Sequence, residues 1–259
     1  MGRSVKIKTN CSLNAGPGSS SAWYLTKAFH DLGHEIVTEH EADLVINIDG
    51  APFVDSLPGV KYFFWDCDSF MHDPPEESFD KLFIGGSPED LERYPEGTIY
   101  IPHAMDPEFH KPHDVEKKFD LVMIGRKDET YIERNELIKR LQKYFSVYYE
   151  QAPFGHEYAK AMSMGKLILN TTLGEKNIPI RFFEGMAIGC LLENYNDNLD
   201  PLAVEGKHYV GYTHENIVDK INYYLQHKKQ REQIALNGRK HVLQHHTYKH
   251  RALEILKYV

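Results

Sequence analysis

The sequence has few cysteines, no long apolar run and no basic excess, and each shortage excludes a class of protein. The three cysteines, Cys11, Cys67 and Cys190, are odd in number and far apart, which argues against a disulfide framework and fits a reducing compartment. No apolar run approaches the roughly 20 residues of a membrane-spanning helix. The first ten residues also lack the apolar core of a signal peptide. We therefore predict a cytoplasmic protein with no transmembrane segment.

The charge balance argues against nucleic acid as the main partner. The net charge is −8 at pH 7, whereas a protein that binds a nucleic-acid backbone clusters Lys and Arg to release its counterions. Apolar residues make up 41% of the chain and charged residues 26%, which is the ordinary balance of a globular protein. A length of 259 residues then suits two compact domains or one large one.

Short apolar strands alternate with amphipathic helices along the chain. A strand over 5–9 precedes a helix over 20–32. Further strands are predicted over 35–38, 43–48, 60–65, 81–84, 98–101, 120–124, 147–150, 167–170 and 190–193. The later helices are predicted over 131–145, 157–164 and 181–188 and between 215 and 258. Strands that alternate with helices predict an α/β fold with parallel, doubly wound sheets.

One segment breaks this alternation. Residues 103–118 read HAMDPEFHKPHDVEKK, with prolines, histidines and no apolar periodicity, which is typical of a linker. We therefore predict two domains, over 1–115 and 116–240, and a C-terminal helix over 241–259 that packs back on the first domain.

The most informative segment is residues 165–194, GKLILNTTLGEKNIPIRFFEGMAIGCLLEN. A strand there leads through a loop to a helix and then to another strand. This segment resembles the donor-binding core of GT-B glycosyltransferases, in particular the group-1 and CgeB-type (spore-coat) branch, whose helix reads R-x-F-E-a-M-A-x-G. The matching residues are Lys166, Leu169, Asn170, Arg181, Phe183, Glu184, Met186, Ala187 and Gly189. The resemblance covers residues 99–256, and the first hundred only by topology.

The resemblance implies a GT-B fold, in which two Rossmann-like domains face a cleft and C-terminal helices follow. It implies transfer of a sugar from a nucleotide-diphosphate sugar to a hydroxyl of a glycan or other acceptor, with no metal and no further cofactor. The domain over 1–115 would hold the acceptor, and the domain over 116–240 would hold the donor.

Glu184 and Arg181 are the strongest donor-binding candidates. The resemblance implies that Glu184, near the start of a helix, accepts hydrogen bonds from two ribose hydroxyls. Arg181 and the helix N-terminus suit the diphosphate, because both present positive charge to an anion. The plainer alternative for Glu184 is a solvated carboxylate that the helix dipole favours.

Four other residues extend this donor site by resemblance. Arg126 follows the strand LVMIG and matches an arginine that related enzymes use on the diphosphate, with Lys127 as a companion. Lys166 and Asn170 belong to the matching strand.

The match has one departure. Related retaining enzymes carry a Glu-x7-Glu pair, but Lys176 stands eight positions before Glu184, and Glu175 is one position further away. The stereochemical class therefore stays open between retaining and inverting. Two other functions also stay open: a non-catalytic nucleotide- or glycan-binding protein with a degenerate GT-B fold, and a nucleotide-sugar epimerase.

The candidates for catalysis lie in the first half of the chain. Asp66, Asp68 and His72 follow a predicted strand, and His103 precedes the linker. At the end of a parallel strand such groups can deprotonate an acceptor hydroxyl, although each can instead cap a turn.

Two loop glycines complete the predicted site. Gly16 and Gly18 let the main chain of their loop approach a phosphate or a donor sugar, or they simply form a turn.

Two patterns also suggest metal binding, and we discount both. Asp66 and Asp68 spell the Asp-x-Asp of GT-A enzymes, which lack the RFFEGMA helix. His241 and His245 have a metal-compatible spacing of four, as do His246 and His250, but no carboxylate or cysteine of matching spacing completes a site. We predict no metal.

Overall fold

The computed structural model describes residues 4–17, 21–49, 57–69, 71, 73–76, 78–151, 154–172 and 176–259. The chain divides into two compact units. Unit 1 comprises Met1–Ala104 and Thr247–Val259, and unit 2 comprises Met105–His246. The sequence places the division at 115/116 instead, inside the predicted linker, so residues 105–115 belong to unit 2 and not to the first domain.

Unit 1 is built on a six-stranded parallel sheet with the order β2-β1-β3-β4-β5-β6. Its strands are β1 Lys6–Thr9, β2 Glu35–Ile36, β3 Leu44–Ile48, β4 Lys61–Asp66, β5 Lys81–Ile84 and β6 Ile99–Tyr100. Every residue of β3 is buried, as expected for a parallel strand that is covered on both faces. The sheet confirms the predicted parallel α/β fold.

Two helices of unit 1 pack on each other although they are far apart in sequence. They are α1, Ser21–Asp31, and α7, Tyr248–Ile255. The Tyr24 ring stacks on the Tyr248 ring with centroids 5.4 Å apart, and the Tyr248 hydroxyl donates a hydrogen bond to Ser21 Oγ at 3.0 Å. The last helix is therefore part of unit 1.

Unit 2 is built on a five-stranded parallel sheet with the order β11-β10-β9-β7-β8. Its strands are β7 Phe119–Ile124, β8 Val147–Glu150, β9 Gly165–Leu169, β10 Leu191–Asn194 and β11 Val210–Tyr212. Its helices are α2 Ile132–Leu141, α3 Gly155–Ser163, α4 Ile180–Ile188, α5 Ile217–Gln226 and α6 Lys228–His245. Strand β11 is absent from the sequence-based prediction.

The sheet of unit 2 has an apolar core on each face. Along β7, Val122 and Ile124 belong to the core that includes α3 and α4, whereas Leu121 and Met123 belong to the core that includes α2 and α5. Successive strand residues point to opposite faces, so the uninterrupted apolar run LVMI marks a strand buried on both sides.

Candidate functional site

The carboxyl ends of the parallel strands of unit 2 lie at one edge of its sheet. Strand β7 ends at Ile124 and β9 at Leu169. These two strands are neighbours, and the strand order reverses between them, because β8 lies on one side and β10 and β11 on the other. Open α/β sheets bind ligands at such a switch point, so the residues after β7 and β9 form the candidate site.

Two arginines approach the main chain at this point. A Cβ atom placed on Gly125 would lie 2.9 Å from Arg181 Nη2 and 3.2 Å from Arg134 Nη1. Arg181 lies in the first turn of α4 and Arg134 near the start of α2. Gly125 thus leaves the space that both guanidinium groups fill, and a larger residue would displace them.

Arg134 is held by a neighbouring loop, and no carboxylate of the described residues pairs with it. Its Nε donates to Thr171 Oγ1 at 2.8 Å, and its Nη2 donates to the main-chain oxygen of Thr171 at 3.2 Å. The side chain is almost wholly buried, and this burial, together with the positive charge of Arg181, lowers the pKa of Arg134 to about 10. Even so, Arg134 is cationic at neutral pH.

Arg181 keeps an unused donor. Its Nη1 donates to Asn170 Oδ1 at 2.7 Å, whereas Nε is buried and has no hydrogen-bond partner in the part of the chain that the structure describes. A buried donor without a partner costs about 1–3 kcal/mol, so an acceptor that reaches Nε gains that energy.

A buried carboxyl group, Glu193 of β10, is connected to this pair through Asn170. It is fully buried, and its Oε2 accepts a hydrogen bond from Asn170 Nδ2 at 2.6 Å. Burial raises the pKa of Glu193 to about 8, although the bond from Asn170 and the charge of Arg181 act in the opposite direction. Glu193 is therefore mostly protonated at neutral pH, so it gives the two arginines no full negative charge.

Glu184 lies in the middle of α4, whereas the sequence places it near the start of that helix. It is 7% exposed, which excludes a solvated helix-start carboxylate. Its Oε2 accepts from the Tyr158 hydroxyl at 2.7 Å, and its Oε1 lies 3.2 Å from His110 Nε2. Because residues three apart share a helix face, Glu184 lies on the same side of α4 as Arg181.

Arg126 and Lys127 follow β7, but both are paired with acidic neighbours. Arg126 Nε donates to Asp128 Oδ2 at 2.9 Å, and 63% of the Arg126 side chain is exposed. Lys127 Nζ donates to Glu150 Oε2 at 2.8 Å. Two contacts connect Arg126 to Arg134. The Arg126 main-chain oxygen accepts from Arg134 Nη1 at 3.4 Å, and both guanidinium groups lie over the Tyr131 ring, 5.9 Å (Arg126) and 4.1 Å (Arg134) from its centroid.

Lys166 and Asn170 lie at opposite ends of β9. Lys166 is the second residue of the strand, and its Nζ donates to Asp120 Oδ1 at 2.8 Å. Four residues of a strand span about 13 Å, so the structure brings Asn170 to the arginine pair and leaves Lys166 at the other edge of the sheet.

Two of the catalytic candidates of unit 1, Asp66 and His103, have local partners. Asp66 ends β4, is almost wholly buried, and its Oδ2 accepts from the Tyr94 hydroxyl at 2.6 Å. Asp68 follows it and is half-buried. His103 is buried, with its Nδ1 3.3 Å from Ser21 Oγ.

The loop candidates divide between described and undescribed residues. Gly16 has a φ of +76°, and its N–H donates to the Leu13 oxygen at the end of a short 3-10 turn, so it forms the turn that the plainer interpretation expects. Gly18, His72 and Glu175 lie outside the described residues.

Sequence reasoning missed five residues that contribute to these contacts. They are His110, Gly125, Arg134, Tyr158 and Glu193. An arginine near the start of a helix and a glycine directly after a strand are weak signals, and both are common in α/β proteins.

The described residues contain no group of three or more His, Cys, Asp or Glu side chains arranged to hold a metal ion. His241 Nε2 lies 2.6 Å and His246 Nε2 3.0 Å from the main-chain oxygen of Leu202, and His250 caps α7. Among the helices that the structure describes, none is both long enough and apolar enough to cross a membrane.

Comparison with known proteins identifies the family. Residues 109–257, more than half of the chain, match the model of the family described as glycosyl transferase-like. The chain belongs to this glycosyl transferase-like family. No protein of curated function matches the sequence.

Solved structures of glycosyltransferases share the fold. AviGT4, a glycosyltransferase involved in avilamycin A biosynthesis, aligns over 98% of this chain and 97% of its own, with 12% identity and a TM-score of 0.66. Anabaena Alr3699/HepE in complex with UDP-glucose aligns over 98% and 100%, with 11% identity and a TM-score of 0.64. The DNA-modifying β-glucosyltransferase aligns over 97% and 98%, with 13% identity and a TM-score of 0.63. The two parallel sheets with flanking helices therefore have the α/β fold of GT-B glycosyltransferases.

Proposed function

We propose that this glycosyl transferase-like protein takes its sugar from a nucleoside-diphosphate sugar, whose diphosphate binds between Arg134 and Arg181 above Gly125. The observation that carries the proposal is this pair of cations at the switch point, with a buried Arg181 Nε that has no partner among the described residues. Guanidinium groups bind phosphate oxygens through two parallel bonds. Such charged hydrogen bonds contribute about 1.5–3 kcal/mol each.

The same two cations favour the chemical step. As the bond from the sugar to the diphosphate breaks, negative charge accumulates on the leaving group, and fixed positive groups beside it lower the barrier. We assign Glu184 to the ribose hydroxyls and Asn170 to the orientation of Arg181. The same hypothesis includes a hydroxyl group as the acceptor, independence of metal, membership of the CgeB-type branch, an acceptor role for unit 1 and a cytoplasmic location.

The first donor to test is UDP-glucose, because HepE, which has the same fold, has been crystallised with it. Thermal unfolding of the protein should be followed with UDP-, GDP-, ADP- and TDP-sugars, since a ligand of the native state raises the melting temperature. Release of nucleoside diphosphate on addition of hydroxyl acceptors then measures transfer. Binding without release would indicate a non-catalytic module, and conversion of the donor without an acceptor would indicate an epimerase.

A substitution in the arginine pair tests the proposed diphosphate site most directly. Arg181→Gln should weaken binding of the stabilising nucleoside diphosphate about 10- to 100-fold, because it removes charged hydrogen bonds to the diphosphate. Arg140→Gln is the matched control, because Arg140 is exposed on α2 and donates to the main-chain oxygen of His214. Equal affinity in the Arg181 variant and the wild type, measured by calorimetry, would exclude the proposed diphosphate site.

A further inference from the structure

Glu184 is held by two side chains that the family motif does not contain. The Tyr158 hydroxyl donates to Oε2 at 2.7 Å, and His110 Nε2 lies 3.2 Å from Oε1. Each carboxylate oxygen can accept about two hydrogen bonds. Among the described residues there is thus one donor on each oxygen, which fixes the plane of the carboxylate and leaves one acceptor position on each oxygen.

His110 is itself fixed by the turn in which it lies. Its Nδ1 accepts from the main-chain N–H of Asp106 at 2.9 Å, which places the ring proton on Nε2 and directs it at Glu184. The main-chain N–H of His110 donates to the Asp106 oxygen at 2.8 Å, and Asp106 Oδ1 accepts from the N–H of Glu108 at 2.8 Å. Both ends of this turn are buried, so the donor to Oε1 has one tautomer and one direction.

The other end of the turn is tied to α4 by a helix of the same unit. Arg239 of α6 donates from Nη1 to the Ala187 oxygen at 2.7 Å and lies 3.4 Å from the His110 oxygen. The His110 and Tyr158 rings meet edge to face, with centroids 6.0 Å apart. The turn, α3 and α4 thus form a rigid frame around one carboxylate.

We propose that His110 and Tyr158 are positioning residues, which hold the Glu184 carboxylate so that its two free acceptor positions receive a vicinal pair of hydroxyls. This inference rests on the proposed function, which assigns Glu184 to the ribose of the donor. It adds a specificity: the frame favours ribonucleoside over 2′-deoxyribonucleoside diphosphates, because a 2′-deoxyribose leaves one fixed acceptor without a donor.

The test compares UDP with 2′-deoxy-UDP by calorimetric titration of the full chain, with ADP, GDP and their 2′-deoxy forms in parallel. The wild type should prefer the ribo form on the order of tenfold. His110→Leu and Tyr158→Phe should each bring this ratio most of the way to one, whereas His110→Gln, which keeps an N–H donor, should restore most of it. Affinity for inorganic pyrophosphate should be the same in all four proteins, and Tyr144→Phe, an exposed tyrosine, serves as control.

The outcomes separate the two hypotheses. The positioning role would be overturned if His110→Leu and Tyr158→Phe kept the wild-type preference for the ribo form while Glu184→Gln lowered it. The proposed function would then stay intact. An equal fall in UDP and pyrophosphate affinity would also overturn the positioning role, because it would indicate general damage. An unchanged ratio in Glu184→Gln, or no nucleoside-diphosphate binding, would reject the ribose assignment and this inference with it. Should His110→Leu fail to fold, His110→Gln and Tyr158→Phe decide.

Discussion

At the residue scale, the site combines two arginines that form no ion pair with the described residues and a carboxyl group that burial keeps protonated. Arg181 donates a hydrogen bond to Asn170, and Asn170 in turn donates one to Glu193. The pKa of Glu193 is raised from 4.5 to about 8, so the native state retains a proton that the unfolded chain releases. Protonated Glu193 therefore contributes fully to the free energy of unfolding below pH 4.5, and this contribution is lost as the pH rises to about 8.

Glu193→Gln should therefore stabilise the protein in alkaline solution. The glutamine cannot ionise, and its amide fits the same volume, so the loss between pH 4.5 and 8 should shrink by on the order of 4 kcal/mol. Urea unfolding of both proteins at pH 5 and pH 8.5 measures this difference. A parallel pH dependence in wild type and variant would show that Glu193 ionises freely in the native state.

The residues of the site differ in how far the sequence predicts them. Arg181, Glu184 and Asn170 belong to one contiguous motif, so the sequence alone brings them together. Arg134 is not predicted, because the helix ERNELIKRL also carries Arg140 at a polar position, and helical periodicity does not tell the two apart. Only the approach of α2 to β7 and β9 makes Arg134 the partner of Arg181.

At the scale of elements, helix α4 is predicted almost to the residue, whereas strand β11 is not predicted. Helix α4 begins one residue before its predicted start and ends at the predicted residue, because its apolar face is continuous. Strand β11 has three residues, one of them glycine. Such a segment carries no period, and β11 forms because β10 offers it a free edge.

The contact of α1 with α7 is the clearest case of an element stabilised by distant sequence. Tyr248→Ala removes a side chain that is 1% exposed, together with its stacking on Tyr24 and its bond to Ser21. We expect a loss of about 3–5 kcal/mol in the free energy of unfolding. Tyr144→Ala, where the side chain is 66% exposed, should change it by less than about 0.5 kcal/mol.

Chemical denaturation of the two tyrosine variants measures this prediction. Equal stability of Tyr248→Ala and Tyr144→Ala would mean that α7 contributes little to the folding of unit 1. A loss confined to Tyr248→Ala would support its role as an integral helix of that unit.

At the scale of the whole molecule, amino-acid composition predicts the wrong domain boundary where buried polar residues form hydrogen bonds with each other. The segment 103–118 has the prolines and histidines of a linker, yet Asp106 and His110 are nearly inaccessible. Their buried polar groups form hydrogen bonds within the turn, which amino-acid composition does not reveal. The chain therefore enters unit 2 at Met105, before the predicted boundary.

Unit 2 also contains a histidine whose burial acts on stability at the acidic end of the pH range. The His208 ring stacks on His241 with centroids 4.1 Å apart, and His208 Nδ1 accepts from the N–H of Val204. Burial, then the neighbouring His241, Lys207 and His245, lowers the pKa of His208 from 6.5 to about 4. Between pH 6.5 and about 4, His208 is protonated in the unfolded chain but neutral in the native state. The free energy of unfolding therefore falls as the pH falls from 6.5 towards 4.

His208 and Glu193 therefore lower the stability of the molecule from opposite sides of the pH range, His208 as the pH falls and Glu193 as it rises. His208→Asn keeps an acceptor for Val204 but cannot be protonated, so its melting temperature should fall less than that of the wild type between pH 6.5 and pH 4, by on the order of 5–10 °C. His214→Asn, at an exposed position, should follow the wild type. An identical acid profile for all three proteins would mean that His208 is protonated without cost, and the acid limit would then have to come from other groups.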